Sequence, residues 1–287
     1  MKHNYYFVCG LPRSGSTLLC NILAQNSAFY ATATSGLIGM LVSVRNAWDA
    51  TAPMQAMPRE ASEEAKLRVL RAMLGAYYPE QAPEHVFDKS RVWLGYPELL
   101  EWLLGERPKF IVTVRDLDEV LASIEQRWRA TAARRMPPFV NERPVAAFSA
   151  LERVSQYLDS AAGVVGVPMN MIRDALARGY GDCMHFVEFD QLTDNPKRAM
   201  QGLYEWLELD YYDHDFDNVE QVTVEDDFHH GFHELHNIRR AVKPVPYKAE
   251  DVFTDEIREA PLWKQIVELR RFWEPKKKER RHRGARD

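Results

Sequence analysis

Residues 10–17 read Gly-Leu-Pro-Arg-Ser-Gly-Ser-Thr, two glycines framing a short polar loop that closes on Ser and Thr. The apolar run before it, Tyr5-Tyr6-Phe7-Val8-Cys9, has the length of a buried strand, and Leu18, Leu19, Ile22 and Leu23 recur behind it at helical spacing. Strand, glycine-bounded loop and helix in that order give a G-x-x-x-x-G-x-[ST] string its physical meaning. Backbone N–H groups in such a turn converge, with the positive end of the helix, on one anion. A loop built for a nucleoside triphosphate places Lys where this chain has Ser16, so Mg-ATP is not the expected ligand. The loop's cation is Arg13. The plain alternative is a tight turn that binds nothing.

A chain of 287 residues suits one large α/β domain with helical elaboration, and an apolar fraction of 46% is enough for a full core. The net charge of −5 argues against nucleic acid as a partner of the whole surface, so an anion site must be local. Cys9, Cys20 and Cys183 have no metal-type spacing and read as reduced, buried thiols. No apolar run is long enough to span a bilayer, and the first strand begins too early to leave room for a signal peptide. The expectation is a cytoplasmic protein.

Four short apolar runs read as buried parallel strands: 5–9, 85–88, 109–114 and 184–189. Helical patterns separate them, as βαβ units require. Pro97 opens one helix, Asp116 is placed to cap another, and Asn195-Pro196 pairs a cap with a proline at the first helical position. The fold class is therefore α/β, a three-layer and mainly parallel sheet with a phosphate-binding loop after the first strand. Residues 1–273 form one domain, with helical inserts at about 36–78 and 126–178 that can build a substrate pocket over the strand ends. Residues 274–287 are nearly all charged and read as a disordered tail, its basic cluster (Lys276 to Lys278, Arg280, Arg281, Arg283) a solvated one.

A second anion site follows the third strand. Arg115 ends Val112-Thr113-Val114-Arg115, and Ser123 lies eight residues on, about two turns into the next helix. An Arg fork at the strand tip and a hydroxyl on the helix can grip one anion from two directions. Two anion sites on neighbouring strand ends suit a ligand with phosphates at both ends of its ribose.

These motifs resemble those of the sulfotransferases that use 3′-phosphoadenosine 5′-phosphosulfate (PAPS). Gly10 to Leu19 is similar to their 5′-phosphosulfate loop, Arg115 to Ser123 to their 3′-phosphate motif, and Met184 to Pro196 to their strand-and-turn ending in Asp-Pro. The resemblance covers roughly the first two-thirds of the chain and implies a P-loop-like sulfotransferase fold of the soluble, bacterial or phage type. It implies PAPS as co-substrate, no metal, and a nucleotide-contacting set of Pro12, Arg13, Ser14, Gly15, Ser16, Thr17, Arg115 and Ser123. Leu117 replaces the proline usual after Arg-Asp. The catalytic Glu that several relatives place about twenty residues past the loop has no counterpart, since residues 28–48 contain no carboxylate. The Lys-Thr-His of other relatives reads Lys89-Ser90-Arg91 here.

The expected reaction transfers a sulfuryl group to a hydroxyl or amine and releases adenosine 3′,5′-bisphosphate (PAP). Arg13 and Lys89 are the cations for charge growing on the bridging oxygen, and Arg91 can orient the acceptor. Arg239 or Arg240 is expected on the 3′-phosphate, Arg239 closing a stretch, Leu235-His236-Asn237-Ile238-Arg239, that resembles the Leu-His-x-[Ile/Val]-Arg of bacterial relatives. His236 is the first candidate for the general base and Asp88 the second. His229, His233 and His236 would share a face on a helix and could hold zinc, though Gly231 interrupts. Aromatics in the inserts (Trp48, Tyr77, Tyr78, Trp93, Trp128, Phe139, Phe148) can line the acceptor pocket or fill the core. Two other functions stay open: a small-molecule kinase with Asp88 as its acid, and a nucleotide-binding relative without turnover.

Overall fold

β1 (Asn4–Gly10) has side chains of alternating direction and both of its faces are buried, which makes it the centre of a layered structure. Tyr5, Phe7 and Cys9 enter one apolar core and Tyr6 and Val8 the other. The computed structural model describes residues 2–134, 148–245 and 248–274. Among them five strands form one parallel sheet in the order β2-β3-β1-β4-β5, with β2 (Phe29–Thr34), β3 (His85–Lys89), β4 (Lys109–Val114) and β5 (Met184–Glu188). The three-layer expectation holds, with one strand more than the four read from sequence. β2 escapes notice because Phe-Tyr-Ala-Thr-Ala-Thr dilutes its strand formers with alanine and it sits at the sheet edge, pairing with β3. Met184–Phe189 ends one residue earlier than expected, since Phe189 opens a helix.

On one face lie α1 (Ser16–Leu23) and, farther along, α9 (Phe189–Asp194) and α10 (Pro196–Leu207), which bury Leu19, Ile22, Leu203 and Tyr204 against Val8 and Ile111. The 36–78 insert is α2 (Leu37–Ala50), α3 (Ala52–Gln55) and α4 (Arg59–Ala76). α5 (Pro97–Leu104) and α6 (Leu117–Ala133) cover the other face with Leu100, Leu103 and Leu121 on Phe7 and Phe110. Each such fully buried side chain stabilises the fold by about 1.5–3 kcal/mol. α7 (Ala150–Tyr157) and α8 (Gly166–Ala177) form the described part of the second insert. α11 (Asp255–Glu259) and α12 (Pro261–Glu268) end the described chain, and Phe139 with the basic tail lies outside it.

The expected caps resolve differently. Asn195 accepts from the Arg198 N–H at 3.3 Å, with Pro196 at the first helical position. Asp116 stands at the N-cap of α6 without capping it, and its carboxylate pairs instead with Arg270 at 2.9 Å, tying the C-terminal segment to the start of α6. No helix among the described residues is long and apolar enough to cross a membrane.

Candidate active site

The loop between β1 and α1 is held by close approach to β4. Gly10 has φ +121°, and a Cβ there would stand 2.1 Å from the Thr113 carbonyl oxygen, so only glycine fits. The Leu11 N–H donates to that oxygen at 2.9 Å. Ser14 Oγ is wholly buried and bonds Leu11 O at 2.5 Å and Thr113 Oγ1 at 2.7 Å. Its side chain therefore braces the loop, leaving its N–H as the group that can meet an anion. Gly15, at φ +88°, takes the N-cap position of α1, where no side chain caps the helix N–H groups. Arg13 adopts φ +58°, a left-handed conformation costly for a residue with a Cβ. That backbone turns its guanidinium across the cleft, where Nε donates to Ser123 Oγ at 3.1 Å and Nη1 to the Leu235 carbonyl.

A cleft of about 370 Å³ opens over these strand ends. Pro12, Arg13, Gly15, Ser16, Thr17, Lys89, Arg115, Ser123, His236 and Arg239 all line it. The two anion motifs read from sequence are thus one site. Arg115 is almost completely buried, lies 4.4 Å over the Phe189 ring and pairs with Glu119 at 2.9 Å one helical turn away. Two expectations fail here. Arg240 does not line the cleft; its guanidinium bonds Asn218 Oδ1 at 3.1 Å on the exterior. Asp88 does not line it either. The strand pleat sends this carboxylate into the core, where Tyr78 OH and Trp93 Nε1 donate to it at 3.0 and 2.8 Å. Burial raises its pKa to about 6, although the hydrogen bonds from Trp93, Ser35 and Tyr78 pull the other way.

A carboxylate from elsewhere in the chain stands beside the loop. Glu225 places Oε2 3.1 Å from Lys89 Nζ and accepts from the Thr34 N–H through Oε1. Lys89 Nζ also donates to Thr17 Oγ1 at 3.2 Å, which links the second cation to the loop. Burial alone would raise the Glu225 carboxyl, but Lys89, Thr34 and His236 outweigh it and hold it below its usual value. The segment reaches this position through Asn21, a buried residue in α1. Its Oδ1 accepts from the Val222 and Thr223 N–H groups at 2.6 and 3.0 Å.

His236 sits beside that pair. Its Nδ1 lies 2.6 Å from Asp227 Oδ1 and 3.1 Å from Glu225 Oε2. Two carboxylates on Nδ1 place the ring proton there and leave Nε2 as the acceptor. Burial, then Lys89, lower the imidazole pKa below its ordinary value against the opposing pull of Glu225 and Asp227. The histidines do not share a helical face as proposed for zinc: residues 227–230 form a single 3₁₀ turn, and Gly231 leaves it at φ +72°. Folding instead brings Glu225, His230 and His236 together, with donor atoms within 4.8 Å of one another.

Sequence reading missed Glu225, Asp227 and Asn21. The available signal was the acidic triplet Glu225-Asp226-Asp227 directly ahead of the histidine cluster, and a polar Asn within an otherwise apolar helix face. Of the two readings of the insert aromatics, the structure gives the packing one for most. Trp93 and Tyr78 are core, Trp48 donates to Ser62 Oγ at 3.0 Å between helices, and Trp128 lies under Arg153. The aromatic rings at the cleft are Phe189 and Phe232 among the described residues.

Residues 6–213 match the model of the sulfotransferase family. Among solved structures the chain is similar to retinol dehydratase in complex with androsterone and the inactive cofactor PAP, at 12% identity over 92% of this chain and 79% of that one, with a TM-score of 0.50. It is also similar to the sulfotransferase domain of the Synechococcus PCC 7002 olefin synthase (19% identity, 93% and 94% covered, TM-score 0.43) and to that of the curacin biosynthetic pathway (18%, 74% and 76%, TM-score 0.47). At 12% identity the likeness to retinol dehydratase is one of fold. No curated protein sequence matches the chain significantly.

Proposed function

The chain belongs to the sulfotransferase family, and from that premise we propose that it transfers the sulfuryl group of PAPS to a hydroxyl or amine acceptor, with His236 as general base. The observation that carries this reading is the convergence of the 10–17 loop, Arg115, Ser123 and Arg239 on one cleft. The loop N–H groups from Ser14 to Thr17 would take the 5′-phosphosulfate. Arg115, Ser123 and Arg239 would take the 3′-phosphate, Arg115 with the guanidinium donors that Glu119 does not engage.

In the reaction an acceptor oxygen or nitrogen forms a bond to sulfur as the bond from sulfur to the bridging phosphate oxygen breaks. The acceptor proton passes to His236 Nε2 and PAP leaves. Asp227 holds the imidazole in the tautomer that can accept, and stabilises it once protonated. Lys89 and Arg13 meet the charge that grows on the bridging oxygen, the kind of stabilisation worth several kcal/mol in a water-poor cleft. Positioning supplies most of the rest.

The kinase alternative loses its acid, because Asp88 faces the core and Ser16 stands where the phosphate lysine would be. Cytoplasmic residence is part of the same proposal, supported by three free, buried cysteines. Two measurements test the reading: the melting shift given by PAP, and turnover of labelled PAPS with a panel of phenols, alcohols and amines. A PAP shift without turnover would leave a nucleotide-binding relative that does no chemistry.

A further inference from the structure

The cations lining the cleft exceed what the donor needs. On the proposed reading Arg13 and Lys89 would meet the phosphosulfate, and Arg115 with Arg239 and Lys243, which line the same cleft, the 3′-phosphate end. Two more guanidinium groups, Arg91 and Arg127, line the same cleft, and no Asp or Glu among the described residues does so. Arg91 follows the end of β3, which flanks β1 on the side away from β4 and its Arg115 motif. Arg127 is one turn beyond Ser123 on α6, about 6 Å farther along the helix. Both therefore stand outside the two donor motifs.

Both charges are only partly offset by the fold. Arg91 is exposed, and its acidic neighbour Glu225 acts on it through space while holding Lys89 at 3.1 Å. Arg127 reaches Glu234 at 3.7 Å, a long contact between partly exposed groups that contributes little. Val164 and Phe232 supply apolar surface in the same cleft. We propose that the acceptor is itself an anion: the group to be sulfated is carried on a molecule with its own carboxylate, sulfate or phosphate, held by Arg91 and Arg127 while its apolar part rests on Val164 and Phe232. This rests on the sulfotransferase reading of the cleft. Displacing Glu234 from Arg127 exchanges a weak contact for a two-pronged one, and an arginine fork suits all three oxyanions.

The test compares 4-hydroxyphenylacetate with its neutral amide, 4-hydroxyphenylacetamide, by calorimetry on the enzyme saturated with PAP. The acid is expected to bind at least about tenfold more tightly at low salt, with the advantage shrinking in about 0.5 M NaCl. An Arg91→Ala/Arg127→Ala double variant should bind acid and amide alike while keeping the wild-type melting shift with PAP, which shows that it is folded. Equal affinities in the wild type, no measurable binding of either compound, or a preference that survives in the double variant overturns the proposal. A wild-type enzyme that PAP does not stabilise fails at the donor site, and the acceptor proposal falls with it. A PAP shift without a preference for the acid fails the acceptor proposal alone.

Discussion

Arg13 Nε donates to Ser123 Oγ at 3.1 Å across 110 residues of sequence, so the loop after β1 and the motif after β4 share one hydrogen bond. The two motifs proposed to bind the donor's phosphates are thereby tied to each other. PAP should raise the melting temperature far more than AMP, since only the bisphosphate engages both ends, and Mg²⁺ should add nothing. Equal shifts for PAP and AMP would end the two-ended description.

Arg115 and Arg13 should separate in steady-state kinetics. The charge that Arg115 would meet is the same before and during reaction, so Arg115→Ala is expected to raise KM for PAPS with a modest change in kcat. Arg13 would face charge that develops only in the transition state, so Arg13→Ala should lower kcat by about two orders of magnitude or more. The reverse pattern would exchange their roles.

His236→Gln should lower kcat by about two to four orders of magnitude and leave PAP affinity nearly intact. The pH profile gives an independent reading. His236 must be neutral to act, and its pKa lies below the ordinary histidine value, so kcat/KM should already be flat near neutrality and fall only on the acid side. Asp227 raises that pKa and Lys89 lowers it. Asp227→Asn should therefore move the acidic limb to lower pH while reducing turnover through lost orientation. A limb that does not move in Asp227→Asn would assign it to another group.

The scaffold was legible because its signals are local. Tyr5–Cys9, the glycine-framed loop and the α1 apolar spacing are continuous in sequence, and so are Arg115 and Ser123. β2 was not legible, because an edge strand of alternating Ala and Thr carries little apolar period. The Glu225 carboxylate beside Lys89 was not legible for a different reason. Glu225 belongs to an irregular segment placed by the Asn21 side chain and by Thr34, partners about two hundred residues away, and no periodicity encodes such contacts. Asp88 misled because strand position was read without the pleat. Residues 88 and 89 point to opposite sides, and only Lys89 faces the cleft.

Chelation should leave activity unchanged, even though Glu225, His230 and His236 have the chemistry of a zinc site. The Lys89 ammonium already occupies Glu225 Oε2 at 3.1 Å, and His236 Nδ1 already faces Asp227 at 2.6 Å. A divalent ion would have to displace the first and deprotonate the second. The check is turnover before and after dialysis against EDTA, with metal content measured in parallel. Loss of activity restored by one equivalent of zinc would make the cluster a metal centre.

Asp88 gives the last prediction, which concerns stability. Its folded pKa, about 6, is above the ordinary aspartate value of 3.8, so the folded state holds its proton more tightly than the unfolded chain. Stability from this group is therefore fully present below pH 3.8 and is lost as pH rises through about 6. At about 1.4 kcal/mol per pH unit, the loss approaches roughly 3 kcal/mol by neutral pH. Asparagine has the same shape, carries no charge to desolvate, and can still accept from Trp93 Nε1. Asp88→Asn should then match the wild type at low pH, melt higher than it at pH 8, and keep its turnover, because this side chain does not touch the cleft. Thermal melts of both proteins across the acid to neutral range test the slope, and one activity assay tests the placement. A dead but well-folded Asp88→Asn would return this carboxylate to the chemistry and remove His236 from the role of base.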